Sequence, residues 1–191
     1  ERQSIAAAAI PSFQQIVDLA KTNSNIRFQL EVKTDPTQPE LSIPPNDFML
    51  ALNTLLEKNQ ISSRVEVHSF DWRNMLQLQS LNSAVSTSYI TSSVWLPPES
   101  MVIWQAGHKI ENYYNYAGLI AELGGQTWCP DFRDIEAKNL IDTAHNQGLR
   151  VTSWTVNKSD NMRKLLDYGI DGIITDYPDR LLALLAVDSR I

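Results

Sequence analysis

Along the chain, stretches in which apolar residues recur every three to four positions alternate with short stretches of period two, and this alternation sets the expected architecture. The C-terminal part is the clearest. Gly148 to Asn157 reads as a strand behind a helix-ending glycine, and Ser159 is placed to cap a helix that carries Met162, Leu165 and Leu166 on one stripe and closes at Gly169. A strand at Gly172 to Thr175 leads through Asp176-Tyr177-Pro178 into a last helix built on Leu181, Leu182, Leu184 and Leu185. Upstream, Asp134 is expected to open a helix with Ala137, Leu140, Ile141 and Ala144 in line, behind a strand at Gln126 to Cys129. Further strands are expected at Ala84 to Ile90, Arg64 to Phe70 and Arg27 to Lys33. Their helices are Asn112 to Leu123, Asp71 to Gln79, and Asn46 to Lys58 on a stripe of Phe48, Ala51, Leu52, Leu55 and Leu56. Ser12 and Gln15 have capping-box spacing at the head of Phe13, Ile16, Val17 and Ala20.

Six strands alternating with helices imply parallel pairing and right-handed crossovers, in an open doubly wound sheet or a closed eight-fold β/α barrel. The strand faces choose between them. In Arg27 to Lys33, Gln29, Glu31 and Lys33 share one face and Phe28, Leu30 and Val32 the other, and Arg64 to Phe70 sets Val65 and Val67 against Glu66 and His68. A central strand of a doubly wound sheet would be apolar on both faces, whereas a barrel strand turns polar residues inward near its functional rim. Two stretches break the rhythm: Thr34 to Pro45, rich in proline, and Thr91 to Ile110, a loop insertion holding Trp95 and Trp104. Loops after barrel strands build active sites, so both are candidate pocket walls; the second reads equally as a surface excursion pinned by its tryptophans.

Composition narrows the function classes. With 43% hydrophobic and 20% charged residues in 191, the chain is an ordinary globular one and is expected to form a single domain over residues 1–191. Its formal charge of −6 would repel nucleic acid and anionic membrane surfaces, so an anionic substrate needs a local cation. The single cysteine, Cys129, excludes an intrachain disulfide. Apolar runs fall short of the roughly 18 residues a membrane span requires.

Glu31 and Lys33 stand two residues apart on one strand face, about 7 Å between side-chain origins. A carboxylate there suits a hard divalent cation and the ammonium suits a phosphoryl oxygen, although an internal ion pair is the alternative. Trp154, near a strand end, can wall a small ligand. His68 shares the face of Glu66 and could reach the rim as an acid or base, or be buried and hydrogen-bonded. His145 is placed to favour a helix C-terminus, His108 lies in the long loop, and Cys129 reads as a small buried hydrophobe. Asp131 and Asp176, each just past a strand, read equally as rim ligands and as helix caps.

The run Gly148 to Pro178, with Trp154-Thr155-Val156-Asn157 and Tyr168-Gly169-Ile170-Asp171-Gly172-Ile173-Ile174-Thr175-Asp176-Tyr177-Pro178, closely resembles the end of the glycerophosphodiester phosphodiesterases. Ile10-Pro11-Ser12-Phe13 is similar to that family's I-P-T-L, Leu30-Glu31-Val32-Lys33-Thr34 to its I-E-I-K-T, and Val67-His68-Ser69-Phe70-Asp71-Trp72 to its Q-S-F-D-W. The resemblance implies a TIM (β/α)8 barrel that uses a divalent cation, Mg2+ or Ca2+, to hydrolyse small-molecule glycerophosphodiesters to glycerol 3-phosphate and an alcohol. It implies that Glu31 is a metal-binding carboxylate, Lys33 the catalytic phosphate-side lysine, and Trp154 and Phe70 substrate-binding aromatics.

The family's first two strand-helix units, with His-Arg-Gly, Glu-Asn-Thr, Glu-x-Asp and His-Asp, have no counterpart here, and they carry both catalytic histidines and the remaining metal carboxylates. The chain is therefore expected to be the C-terminal three-quarters of such a barrel, inactive alone and completed by an N-terminal segment of the same protein. A catalytically inactive binding module and a phospholipase D-like relative are the alternatives. The resemblance is closest to members that are periplasmic or secreted, with a cytoplasmic place as the alternative.

Overall fold

A computed structural model describes residues 9–96, 98–110 and 115–187. Helix α1 (Phe13–Ala20) opens on the expected capping box: Ser12 Oγ accepts from the Gln15 backbone N–H, and the Gln15 side chain accepts from the Ser12 N–H at 2.8 Å. Six strands follow, β1 (Phe28–Glu31), β2 (Val65–Ser69), β3 (Ser86–Thr91), β4 (Thr127–Pro130), β5 (Arg150–Ser153) and β6 (Gly172–Ile173), interleaved with α2 (Pro45–Asn59), α3 (Trp72–Leu81), α4 (Met101–Trp104), α5 (Tyr116–Glu122), α6 (Lys138–Asn146), α7 (Ser159–Asp167) and α8 (Pro178–Val187). All strand pairs are parallel and the order in space is the order in sequence.

That sequential order belongs to a β/α barrel, because a doubly wound sheet reverses its strand order midway. The sheet also curls. Side chains of β1 and β6 line one cavity of about 200 Å³ with Glu66 and Arg150, and Glu66 accepts from Thr127 Oγ1 at 2.7 Å across the concave face. On the convex face Val65, Val67, Tyr89 and Val151 pack against Trp72, Met75, Leu78, Leu119 and Ile120 in one buried core. Polar residues therefore line the lumen and apolar ones meet the helices, as the period-two pattern of β1 and β2 requires.

Several elements differ from their expectations for local physical reasons. Asp134 does not open a helix. It ends a 3-10 turn at Phe132–Asp134 and accepts from the backbone and hydroxyl of Ser93, so it ties the β3 loop to the β4 loop, and α6 starts at Lys138 behind Ala137. Lys158, not Ser159, is the N-cap of α7, and Ser159 is the first helical residue. On α2 the buried face is Met49, Asn53 and Leu56, while Leu55 is exposed; Asn53 is accepted there because its Oδ1 takes a 2.7 Å bond from Asn82 at the end of α3. Of the helix expected from Asn112, residues 112–114 lie outside the described residues and α5 begins at Tyr116.

At the C-terminal end of the sheet the turn from β2 into α3 is held by a fully buried carboxylate. Asp71 accepts a paired bond from Arg73 (2.9 and 2.7 Å), the N-capping bond from the Arg73 N–H, and the Thr34 hydroxyl at 2.7 Å. Asn74 Nδ2 then donates to Thr34 Oγ1 at 2.7 Å. The same device recurs after β4, where buried Asp131 pairs with Arg133 and caps its own turn. Removing a buried carboxylate strands its donors, which costs about 2–3 kcal/mol for a half-solvated partner such as Arg73. Asp71→Ala should therefore lower the urea midpoint clearly, while Asp18→Ala, which breaks the exposed Asp18–Lys21 pair, should leave it unchanged.

Candidate active site

Glu31 ends β1 at the C-terminal rim, and the chain beyond it is held to β2 on its other side: Val32 N–H donates to His68 O at 2.9 Å and Ser69 Oγ donates to Val32 O at 2.7 Å. With Val32 buried, Glu31 and Lys33 must face the opening together. Lys33 Nζ donates to Glu31 Oε1 at 2.6 Å, and the lysine side chain keeps 77% of its surface in solvent. The pair stands at a cavity of about 330 Å³ walled by Leu41 and Ser42 of the 34–45 loop, by Phe70, and by Trp104 of α4.

Phe70, the residue after β2, joins this cavity to the lumen. Its ring meets Trp154 edge-on at 5.4 Å and Trp104 edge-on at 6.4 Å. Trp154 is fixed in turn by a 3.0 Å bond from its indole N–H to Cys129 O. Four of the expected site residues, Glu31, Lys33, Phe70 and Trp154, therefore share one rim. Spacing did not single out Leu41, although it lies, as Trp104 does, in a loop marked as a pocket wall. Trp95 is 66% exposed, so the long loop is not pinned by both of its tryptophans.

His68 sits in the lumen in register with Glu31, is 8% exposed, and its Nδ1 has no hydrogen-bond partner among the described residues. Burial lowers its pKa, and the nearby Lys33 adds to this, while the carboxylates of Glu31 and Glu66 offset only part. It is thus a neutral buried imidazole rather than an exposed rim acid. His145 pairs with Asp171 at 2.9 Å, a bond beside the Val151 N–H at the start of β5 and away from the rim. Burial pushes the Cys129 thiol up to about 12, so it is no nucleophile. Burial alone would raise the Asp131 carboxyl, but Arg133 outweighs it and holds the group low, and Asp131 acts as a cap. Asp176 accepts from the Asn157 amide at 2.8 Å.

Whether these residues fit a divalent cation can be tested on the donor set. Among the described residues no three His, Cys, Asp or Glu side chains group as a metal site. Glu31 offers one carboxylate, already engaged by Lys33, whereas hard divalent cations take several oxygen ligands. The described residues do not by themselves make that site.

Sequential parallel strands, with Glu31, Lys33 and an aromatic wall gathered at their C-terminal rim, define a β/α-barrel chain. The model of the Glycerophosphoryl diester phosphodiesterase family matches residues 1–180, and the chain belongs to that family. It is 23% identical over 170 residues to the glycerophosphodiester phosphodiesterase of Bacillus subtilis (strain 168), covering 89% of this chain and 52% of that protein. A solved structure from Silicibacter pomeroyi DSS-3 superposes with a TM-score of 0.76 at 29% identity, over 92% of this chain and 56% of the other. An Oleispira antarctica phosphodiesterase solved in complex with the product sn-glycerol-3-phosphate shares the fold, with a TM-score of 0.68 at 14% identity over 92% and 61%. The chain spans between half and two-thirds of the length of the curated relatives matched along most of it.

The lowered pKa of His68 has a definite sign. The unfolded chain takes up this proton near pH 6.5 and the folded chain only at lower pH, so stability is lost as pH falls below 6.5 towards the folded value. Urea midpoints at pH 7.5 and 5.5 should fall further in the parent chain than in His68→Gln; equal losses in both would contradict the buried neutral imidazole.

Proposed function

We propose that this chain forms the C-terminal part of an enzyme that hydrolyses glycerophosphodiesters to glycerol 3-phosphate and an alcohol. The observation that carries the proposal is the exposed Lys33 ammonium beside the Phe70–Trp154 wall, at the rim of a chain of this family. Lys33 would hold a phosphoryl oxygen and stabilise the charge that builds on it as phosphorus is attacked, an interaction worth most where water is excluded. Trp154 would pack on the carbon face of the glycerol, with Phe70 supporting it edge-on.

The reaction also needs a base for the nucleophile and an acid for the leaving alkoxide. His68 is buried, His145 is bound to Asp171, and neither they nor His108 matches the family's two catalytic histidines, so we assign these roles to histidines outside the 191 residues. The same holds for most of a divalent site. Mg2+ or Ca2+ is the proposed cofactor, neutralising phosphoryl charge when bound, with Glu31 as one ligand and the other carboxylates from an N-terminal segment. A single domain over residues 1–191 and a periplasmic or secreted place belong to the same proposal; fractionation of the source cells tests the latter.

The intact protein should release choline and glycerol 3-phosphate from glycerophosphocholine, with activity lost to a chelator and restored by the metal. Absence of release would favour the binding-module alternative. Lys33→Ala should lower kcat about a hundredfold or more with the melting temperature unaltered; an unchanged rate would remove Lys33 from the reaction.

A further inference from the structure

We propose that the Asp131–Arg133 pair is a positioning element for Trp154: it sets the direction of the indole face on which the glycerol packs, and so governs substrate binding without touching substrate. The inference rests on the phosphodiesterase reading and adds to its machinery two residues away from the Glu31–Lys33 pair.

One motif occurs twice at the rim. Asp71-Trp72-Arg73 lies just past β2 and Asp131-Phe132-Arg133 just past β4, an aspartate, an aromatic and an arginine in the same order. The bonds repeat with it. Asp131 is 1% exposed and accepts from the Arg133 backbone N–H at 3.0 Å, from its Nε at 2.9 Å and from its Nη2, as Asp71 does from Arg73. What differs is the neighbour each clamp holds. The first reaches Thr34. Around the second, three bonds converge on the end of β5: the Trp154 indole N–H donates to Cys129 O at 3.0 Å, Ser153 Oγ donates to Pro130 O at 2.8 Å, and the Phe132 N–H donates to Trp154 O at 3.1 Å. These partners flank Asp131 on both sides, and the Asp131 N–H is itself fixed to Thr91 O at 2.9 Å. Both the main chain and the ring of Trp154 therefore take their place from the segment that the Asp131 carboxylate holds.

Ending a strand needs less than this. An uncharged cap such as serine or asparagine accepts the same N–H, and a desolvated carboxylate paired with an arginine adds little net stability over an apolar replacement. What the paired fork adds is fixed orientation. Trp154 requires it because its indole N–H is already committed to Cys129 O, which leaves the ring face as the surface it offers a ligand. The direction of that face follows the Cys129–Phe132 segment on one side and the Phe70 ring, 5.4 Å away, on the other.

The test uses the intact protein. Asp131→Asn, which keeps the cap and loses the fork, should raise KM for glycerophosphocholine about tenfold and leave kcat within about twofold, the signature of lost ground-state binding. In a Trp154→Ala background the same substitution should change KM by less than about twofold, because the ring it orients is gone. A fall in kcat at unchanged KM, or a KM rise that persists without Trp154, overturns the proposal. If Asp131→Asn does not fold, Arg133→Lys decides in its place: it keeps the charge without the fork and should raise KM about threefold, and an unchanged KM overturns the proposal. In protein labelled with 15N-tryptophan, the Trp154 indole N–H resonance, assigned by its loss in Trp154→Phe, should move in the same variant. A resonance that stays overturns the positioning role whether or not substrate is turned over. Absence of turnover in the parent overturns the phosphodiesterase reading alone.

Discussion

The rim of this molecule depends on one buried carboxylate. Asp71 has no exposure to solvent, and an ionised group in that position is tolerable only if donors surround it. It collects the Arg73 guanidinium, the Arg73 backbone N–H in the first turn of α3 and the hydroxyl of Thr34. The last of these matters most for the site, because Thr34 follows Lys33 directly. The Thr34–Asp71 bond therefore also anchors the chain just past Glu31 and Lys33. Arg73 is in turn held more firmly protonated by the hydrogen bonds to Asp71.

The second constraint is the curl of the sheet. Parallel strands buried on both faces are normally apolar throughout. Here the concave face carries Gln29, Glu31, Glu66, His68, Ser88, Thr127 and Thr152, which would be costly in a flat, covered sheet. Curvature brings them within reach of one another. Glu66 alone accepts from Gln29 and Thr127 and lies 3.7 Å from Arg150. The satisfaction is incomplete: among the described residues His68 Nδ1 is buried without a partner. Such a group costs stability that packing does not require.

Much of this was legible from residue spacing. Period two in β1 and β2 sorted Phe28 and Val32 from Glu31 and Lys33, and the glycine-punctuated helices placed β5 and β6. What spacing could not show was competition for a side chain. Asp134 has the look of a helix cap, but Ser93, 41 residues earlier, claims its oxygens, and the helix starts later. For His68 spacing left a rim acid and a buried imidazole both open, and burial decides for the second. The 330 Å³ cavity was legible only as two loops on the same side of the sheet, because which of their side chains meet depends on how α4 folds back over Phe70.

The Glu31–Lys33 pair shows how such a site can be both formed and open. An ion pair whose lysine is mostly exposed is worth little, at most about 1 kcal/mol, because water screens the attraction and the long side chain loses freedom to hold it. The pair therefore positions the ammonium without locking it. On the proposed reading a phosphoryl group, which brings more negative charge and displaces water from the apolar wall beside it, takes the lysine at small cost. These 191 residues carry a formal charge of −6, so their long-range field does not draw an anion in. On the proposed reading capture rests on short-range contacts, and the ammonium and the Phe70–Trp104 wall are two that this rim supplies side by side.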